Sequence, residues 1–125
     1  DLLTRFARTL AAWPEARHVV EFRHPSWFDA ETERVLTDHD LANCISDSPR
    51  WPAWDIVISG LAYARLHGND LLYRGDYAEG LLAGWAARVR AWRAAGHAVH
   101  VYFDNTAEGA APRNAEALLA LVNHD

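Results

Sequence analysis

The run VVEFRH, residues 19–24, restricts the fold more than any other stretch of this chain. Val19, Val20 and Phe22 are strand formers, yet Glu21 and Arg23 place full charges at alternate positions among them. Side chains alternate between the two faces of a strand, so Val20 and Phe22 share one face while Glu21 and Arg23 share the other. The pattern recurs downstream. In LAYARLHG, residues 61–68, Ala62, Ala64 and Leu66 alternate with Tyr63, Arg65 and His67. In HAVHVYFDN, residues 97–105, Val99, Val101 and Phe103 alternate with His100, Tyr102 and Asp104. A sheet covered by helices on both faces would desolvate all these polar groups, at several kcal/mol each where unpaired. A closed barrel avoids that cost, because its interior can hold a charged network and open to water at one mouth.

Helical periodicity fills the spaces between these strands. Leu2, Leu3, Phe6, Leu10 and Trp13 recur at helical spacing, and Pro14 ends that segment. Asp29 or Ser26 can cap a helix over 30–39 with Val35 and Leu36 inward, followed by a short strand, LANCISD, at 41–47. A helix over 78–95 carries the stripe Leu81, Trp85, Val89 and Trp92 and stops at Gly96; a last one follows Asn105, with Pro112 near its start. The exception is residues 48–60, where Pro49, Pro52, Trp51 and Trp54 form a loop too apolar for a linker. Strands alternating with helices predict an α/β fold with parallel pairing and right-handed crossovers, and four such strands make half of a (β/α)8 barrel.

Three motifs in order resemble the DUF72 (YecE-like) family of bacterial and archaeal proteins: EFRHPSWF at 21–28, YARLHG at 63–68 followed by YRGDY at 73–77, and YFDN at 102–105 followed by GAAPRNA at 109–115. The resemblance runs from about His18 to Val122 and implies a TIM-like barrel, of which these motifs form the second half, strands five to eight. Residues 50–59 depart from the family pattern. The family carries no settled reaction, so the resemblance implies a fold and marks residues without naming chemistry. Residues 1–125 are accordingly expected to be one partial domain with the N-terminal half of the barrel absent. A chain that opens at Asp1 and contains no methionine is likewise expected to be an excerpt of a longer polypeptide.

Barrel enzymes place their sites at the C-terminal ends of the strands, and the polar residues concentrate there. Arg23 and Arg65 suit a planar anion such as carboxylate or phosphate, and Glu21 and His67 are the candidate catalytic acid–base pair. Pairing with Arg23 would lower the pKa of Glu21 and weaken it as a base. Asn43 and Asp47 share a face of the second strand, and Asp47, Asp104 and Asn105 end their strands at one rim. Tyr102 and Asn105 would orient the ligand, while Arg74 and Tyr77 could close over it. The segments GNDLLYRGDY and NTAEGAAPRNA resemble phosphate-binding loops, with packing loops the favoured alternative. A divalent metal on Asp47, Asp104, Asn105, His67 and Glu21 is a minor alternative, since no HxH or HExxH spacing occurs. His100 is expected to be a core hydrogen-bonder, and Trp51 and Trp54 to plug the place of a missing helix rather than stack on a ligand.

The expected function is binding, with turnover, of a small anionic or phosphorylated ligand. A non-catalytic binding barrel and a metal-dependent phosphodiesterase are the alternatives. A net charge of -5 and a pI near 5.7 argue against nucleic acid as partner. One cysteine, Cys44, allows no internal disulfide and suggests a cytoplasmic home, and no apolar run approaches a membrane span. The uncovered strand edges call for an N-terminal half-barrel or self-association.

Overall fold

The computed structural model describes residues 1–124. Four strands, β1 (His18–Val20), β2 (Leu41–Asp47), β3 (Leu61–Leu66) and β4 (Ala98–Phe103), form one sheet in the order β1-β2-β3-β4. All three pairings are parallel, as the strand–helix alternation predicts. Four helices accompany them: α1 (Leu2–Leu10), α2 (Ala30–Asp38), α3 (Glu79–Ala94) and α4 (Ala110–Asn123). No helix is long and apolar enough to cross a membrane among the described residues.

The alternation sorts the faces as expected. Ile45, Ala64 and Leu66 join Tyr77, Leu82, Trp85, Ala86 and Leu118 in one core beneath α3 and α4. Phe22 and Leu41 join Leu3, Ala7, Val35, Leu36 and Ile58 in a second beneath α1 and α2. The opposite face of the sheet lacks a helix layer: Tyr102 is 46 % exposed and His100 is also exposed. His100 is therefore no core hydrogen-bonder. Its ring joins Tyr63, at 6.2 Å, and Tyr102, at 6.3 Å, in a three-ring cluster on the bare face.

Local signals set the helix ends. Asp29, not Ser26, caps α2 by accepting from the Thr32 amide at 2.7 Å. Gly96, at φ +86, ends the α3 segment where a left-handed residue is needed. Three expectations shift by small amounts. The strand expected through Arg23 ends at Val20, so Glu21 and Arg23 lie just past β1. α1 ends at Leu10, so Trp13 falls outside it and is exposed, and Leu82 rather than Leu81 belongs to the buried stripe of α3.

Residues 48–60 occupy the place of a crossover helix. Trp54 stacks on Phe28 at 5.4 Å and meets Phe22 edge-on at 5.9 Å. The buried Asn43 amide donates to the carbonyls of Trp54 and Ile56 at 2.9 and 3.0 Å. A side-chain amide thus supplies the partners that a helix would have given its own backbone. The plug expectation holds for Trp54 and fails for Trp51, which turns toward the C-terminal edge of the sheet.

Candidate functional site

Register brings the polar ends of the strands together. Val20 pairs with Asn43, so Glu21 stands level with Cys44; Cys44 pairs with Tyr63, Ser46 with Arg65, and Arg65 with Tyr102. Side chains level with one another in a parallel sheet share a face. Glu21, Cys44, Ser46, Arg65, His67 and Asp104 therefore gather on the face away from the helices.

Arg65 is the hinge of this group. Its Nη1 donates to Glu21 Oε2 and its Nε to Asp104 Oδ2, both at 2.9 Å. Arg23 Nε donates to the other Glu21 oxygen at 2.7 Å. His67 is fully buried between the two carboxylates, with Nε2 3.3 Å from Glu21 Oε1 and Nδ1 3.4 Å from Asp104 Oδ2. The latter contact lacks hydrogen-bond geometry, which leaves His67 Nδ1 buried without a partner. Two guanidiniums face two carboxylates, so the cluster carries no net charge when His67 is neutral.

Burial alone would raise the Glu21 carboxyl. The hydrogen bond from Arg23 and the charges of His67, Arg65 and Arg23 outweigh it and hold the group below its ordinary value. Burial opposes the charge of Arg65, and Glu21 and Asp104 overcome that and push its pKa up. The Cys44 thiol, 3.5 Å from Glu21 Oε2, is pushed up by burial first and by that carboxylate second, which keeps it protonated.

The carboxylates sit deeper than the cations. Side-chain exposure is 11 % for Glu21 and 28 % for Asp104, against 36 % for Arg65 and 47 % for Arg23. Arg23 and Glu21 also line an open groove of about 510 Å³ with Leu2, Phe6, His24 and Trp27.

Aromatic residues flank the histidine. Trp51 meets the His67 ring edge-on at 5.1 Å, and Tyr73 does so at 5.7 Å. The Arg23 guanidinium lies over the Trp51 indole, 4.0 Å from its centre, and Trp51 Nε1 donates to the buried Ser46 hydroxyl at 2.6 Å.

Five residues expected at the ligand lie outside this cluster. Asp47 pairs with Leu66 on the helix-covered face, where it accepts from the Tyr77 hydroxyl at 2.8 Å. Tyr77 is buried; burial and then that bond push its phenol up, so it stays neutral. Asn105 is fully buried and donates to the Gly75 carbonyl and to Asn114 Oδ1, both at 2.8 Å. Asn114 in turn accepts from the Tyr77 amide at 3.0 Å and donates to Asp76. Asp47, Tyr77, Asn105 and Asn114 thus form a polar bracket that pins the loop 68–77 against β2 and α4. Arg74 is exposed in that loop, and Tyr102 stacks on Tyr63 at 5.1 Å on the bare face.

Gly68 shows how tightly the loop turns: at φ +130, an added Cβ would lie 2.1 Å from the Leu71 carbonyl oxygen. The segment after β4 enters α4 through Glu108 and Gly109, both at positive φ. Among the described residues no three His, Cys, Asp or Glu side chains group as a metal-ligand set, because Arg65 occupies the space between Glu21 and Asp104.

Sequence reading missed Trp51, Ser46, Cys44 and Tyr73 as neighbours of the cluster. Cys44 and Ser46 alternate in β2 as Tyr63 and Arg65 do in β3, so only the register between the strands marks them. Nothing in the sequence of residues 48–60 directs Trp51 and Trp54 to opposite ends of their loop.

Comparison with known proteins bears on family and fold. A family model described as a protein of unknown function, DUF72, matches residues 1–125. The crystal structure of a DUF72 family protein from Thermotoga maritima superposes with a TM-score of 0.85 at 24 % identity, over 98 % of this chain and 52 % of that one. One from Enterococcus faecalis gives 0.79 at 18 % identity, over 98 % of this chain and 53 % of that one. The chain therefore spans about half the length of these solved relatives, and matches about half of a TIM-like barrel. No curated protein matches.

Proposed function

The chain belongs to the DUF72 family, and from that premise we propose that the C-terminal edge of its sheet binds a small oxyanion, the carboxylate or phosphate of a small molecule, with Arg23 and Arg65. The observation that carries this reading is the order of burial, with both carboxylates beneath both guanidiniums. Arg65 spends Nε and Nη1 on Asp104 and Glu21, and Arg23 spends only Nε. Guanidinium forks match planar oxyanions, and the Arg23 fork has its terminal nitrogens to offer. The deeper carboxylates hold the guanidiniums in place. An oxyanion would bind by adding to this network, since it need not displace Glu21.

His67 is the group suited to move a proton in a turnover step. Glu21 is not, because a carboxylate held below its ordinary pKa stays ionised and saturated by donors. That saturation favours a second reading, a binding protein without turnover.

Titration calorimetry with inorganic phosphate and with succinate tests binding. The expected result is saturable binding of at least one anion, weakened about tenfold (about 1.4 kcal/mol) by Arg23→Ala and by Arg65→Ala. Arg65→Lys serves as a folded control for the second. No binding to either anion, or affinities unchanged in all three variants, refutes the proposal. Incubation with a mixture of small phosphorylated metabolites then separates the two readings: turnover that His67→Ala abolishes supports an enzyme, and ligand retention without product supports a binding protein.

A further inference from the structure

The surroundings of Trp51 go one step beyond the oxyanion reading and rest on it. We propose that Trp51 is a positioning and specificity residue of this site: its indole holds Arg23 in the orientation that receives the oxyanion and shields His67 from solvent.

Arg23 follows the end of β1 and is the most exposed charge of the cluster, so its long side chain would lose considerable rotamer freedom on binding a ligand. Two contacts hold it beforehand. Its Nε is bonded to Glu21, and one face of its guanidinium lies against the indole at 4.0 Å. With Nε and one face occupied, the terminal nitrogens are what remains for a ligand. A lysine would offer a point charge at the same place and could not reproduce the fork.

The indole is itself anchored. Its Nε1 donates to Ser46, whose side chain is 1 % exposed and whose position is set by pairing with Arg65. Pro49 and Pro52 bracket Trp51 and restrict the backbone on either side. Trp51 therefore ties Arg23 just past β1, Ser46 in β2 and His67 just past β3 into one unit. It does so from a loop that replaces a helix, so the substitution of loop for helix has placed an aromatic wall over the site.

The test is a double-substitution cycle read by calorimetric affinity for inorganic phosphate and, in a parallel arm, succinate. Trp51→Phe keeps a ring under Arg23 and is expected to stay within about threefold of the unsubstituted protein. Trp51→Leu removes the ring and is expected to weaken binding about tenfold. Combining Trp51→Leu with Arg23→Ala is expected to add less than about twofold to the loss from Arg23→Ala alone, since the indole acts through that guanidinium. Ser46→Ala removes only the anchor and is expected to cost about threefold, which keeps the inference testable if Trp51→Leu does not fold.

Affinity unchanged in Ser46→Ala and Trp51→Leu overturns the inference and leaves the oxyanion reading standing. So do losses from Trp51→Leu and Arg23→Ala that multiply. Failure of the unsubstituted protein to bind either anion overturns both. Whichever arm shows the stronger dependence on Trp51 identifies the oxyanion that the site is shaped for.

Discussion

Glu21 is a point of convergence at the candidate site: two guanidiniums, the His67 ring and the Cys44 thiol all meet its two oxygens. This convergence links the site to stability. Because the folded carboxyl is held below its ordinary value, the group contributes stability above that ordinary value and loses it as the pH falls through the folded one. Unfolding free energy measured by urea titration should therefore fall more steeply with acid in the unsubstituted protein than in Glu21→Gln. The difference is bounded by one proton, about 1.4 kcal/mol per pH unit, and opens as the pH falls below the ordinary carboxylate range. Glu21→Gln should also cost about 2 kcal/mol at neutral pH, since Arg23 and Arg65 lose a shared partner. Parallel pH profiles for the two proteins would contradict this account.

At the scale of elements, the loop 68–77 and the loop 48–60 carry the residues that border His67, and each is held by a different device. The second is held by apolar stacking through Trp54 and by the Asn43 amide. The first is held by the polar bracket, in which the Tyr77 hydroxyl accepts from the Gly68 amide at 3.1 Å and donates to Asp47. Tyr77→Phe removes that hydroxyl and leaves the buried Gly68 amide and the half-buried Asp47 carboxylate without it. The expected cost is about 2 kcal/mol in unfolding free energy. Because the Gly68 amide loses its acceptor, its hydrogen exchange should quicken beyond what global destabilisation accounts for. Unaltered protection of Gly68 would mean that the bracket does not hold the loop.

The whole molecule presents an asymmetry. Its helices cover one face of the sheet, while the opposite face shows Tyr63, His100 and Tyr102, and the outer strands β1 and β4 each pair on one side only. Apolar side chains are exposed along both flanks, with Leu2 at 73 % and Phe6 at 48 % on α1 and Leu119 at 62 % on α4. Unpaired strand edges beside exposed apolar surface promote association. The 125-residue chain alone is expected to elute with light-scattering mass above that of a monomer, or to become monomeric only when a complementary half-barrel is supplied. A stable monomer at micromolar concentration, with no affinity for a hydrophobic dye, would contradict that expectation.

How far the sequence reached depended on the range of the interaction. The strand faces were legible because alternation is a property of neighbouring residues: Glu21, Arg65 and Asp104 could be assigned to one face without knowing the sheet order. The stop at Gly96 was legible for the same reason, and the cap of α2 was narrowed to Asp29 or Ser26, between which the structure chose Asp29. Asp47 and Asn105 were not. Each ends a strand, but whether such a side chain meets the ligand or the helix layer depends on register with the next strand and on the loops folded against it. The same holds for the two loop tryptophans, which have similar local surroundings and opposite destinations. By itself the sequence determined a parallel α/β sheet with one polar face, since side-chain period and chain connectivity are local. Only the tertiary structure decided which polar residues gather in the candidate site and which form the bracket, because that division is made by contacts between residues far apart in the chain, as in Arg65 with Glu21 and Tyr77 with Asp47.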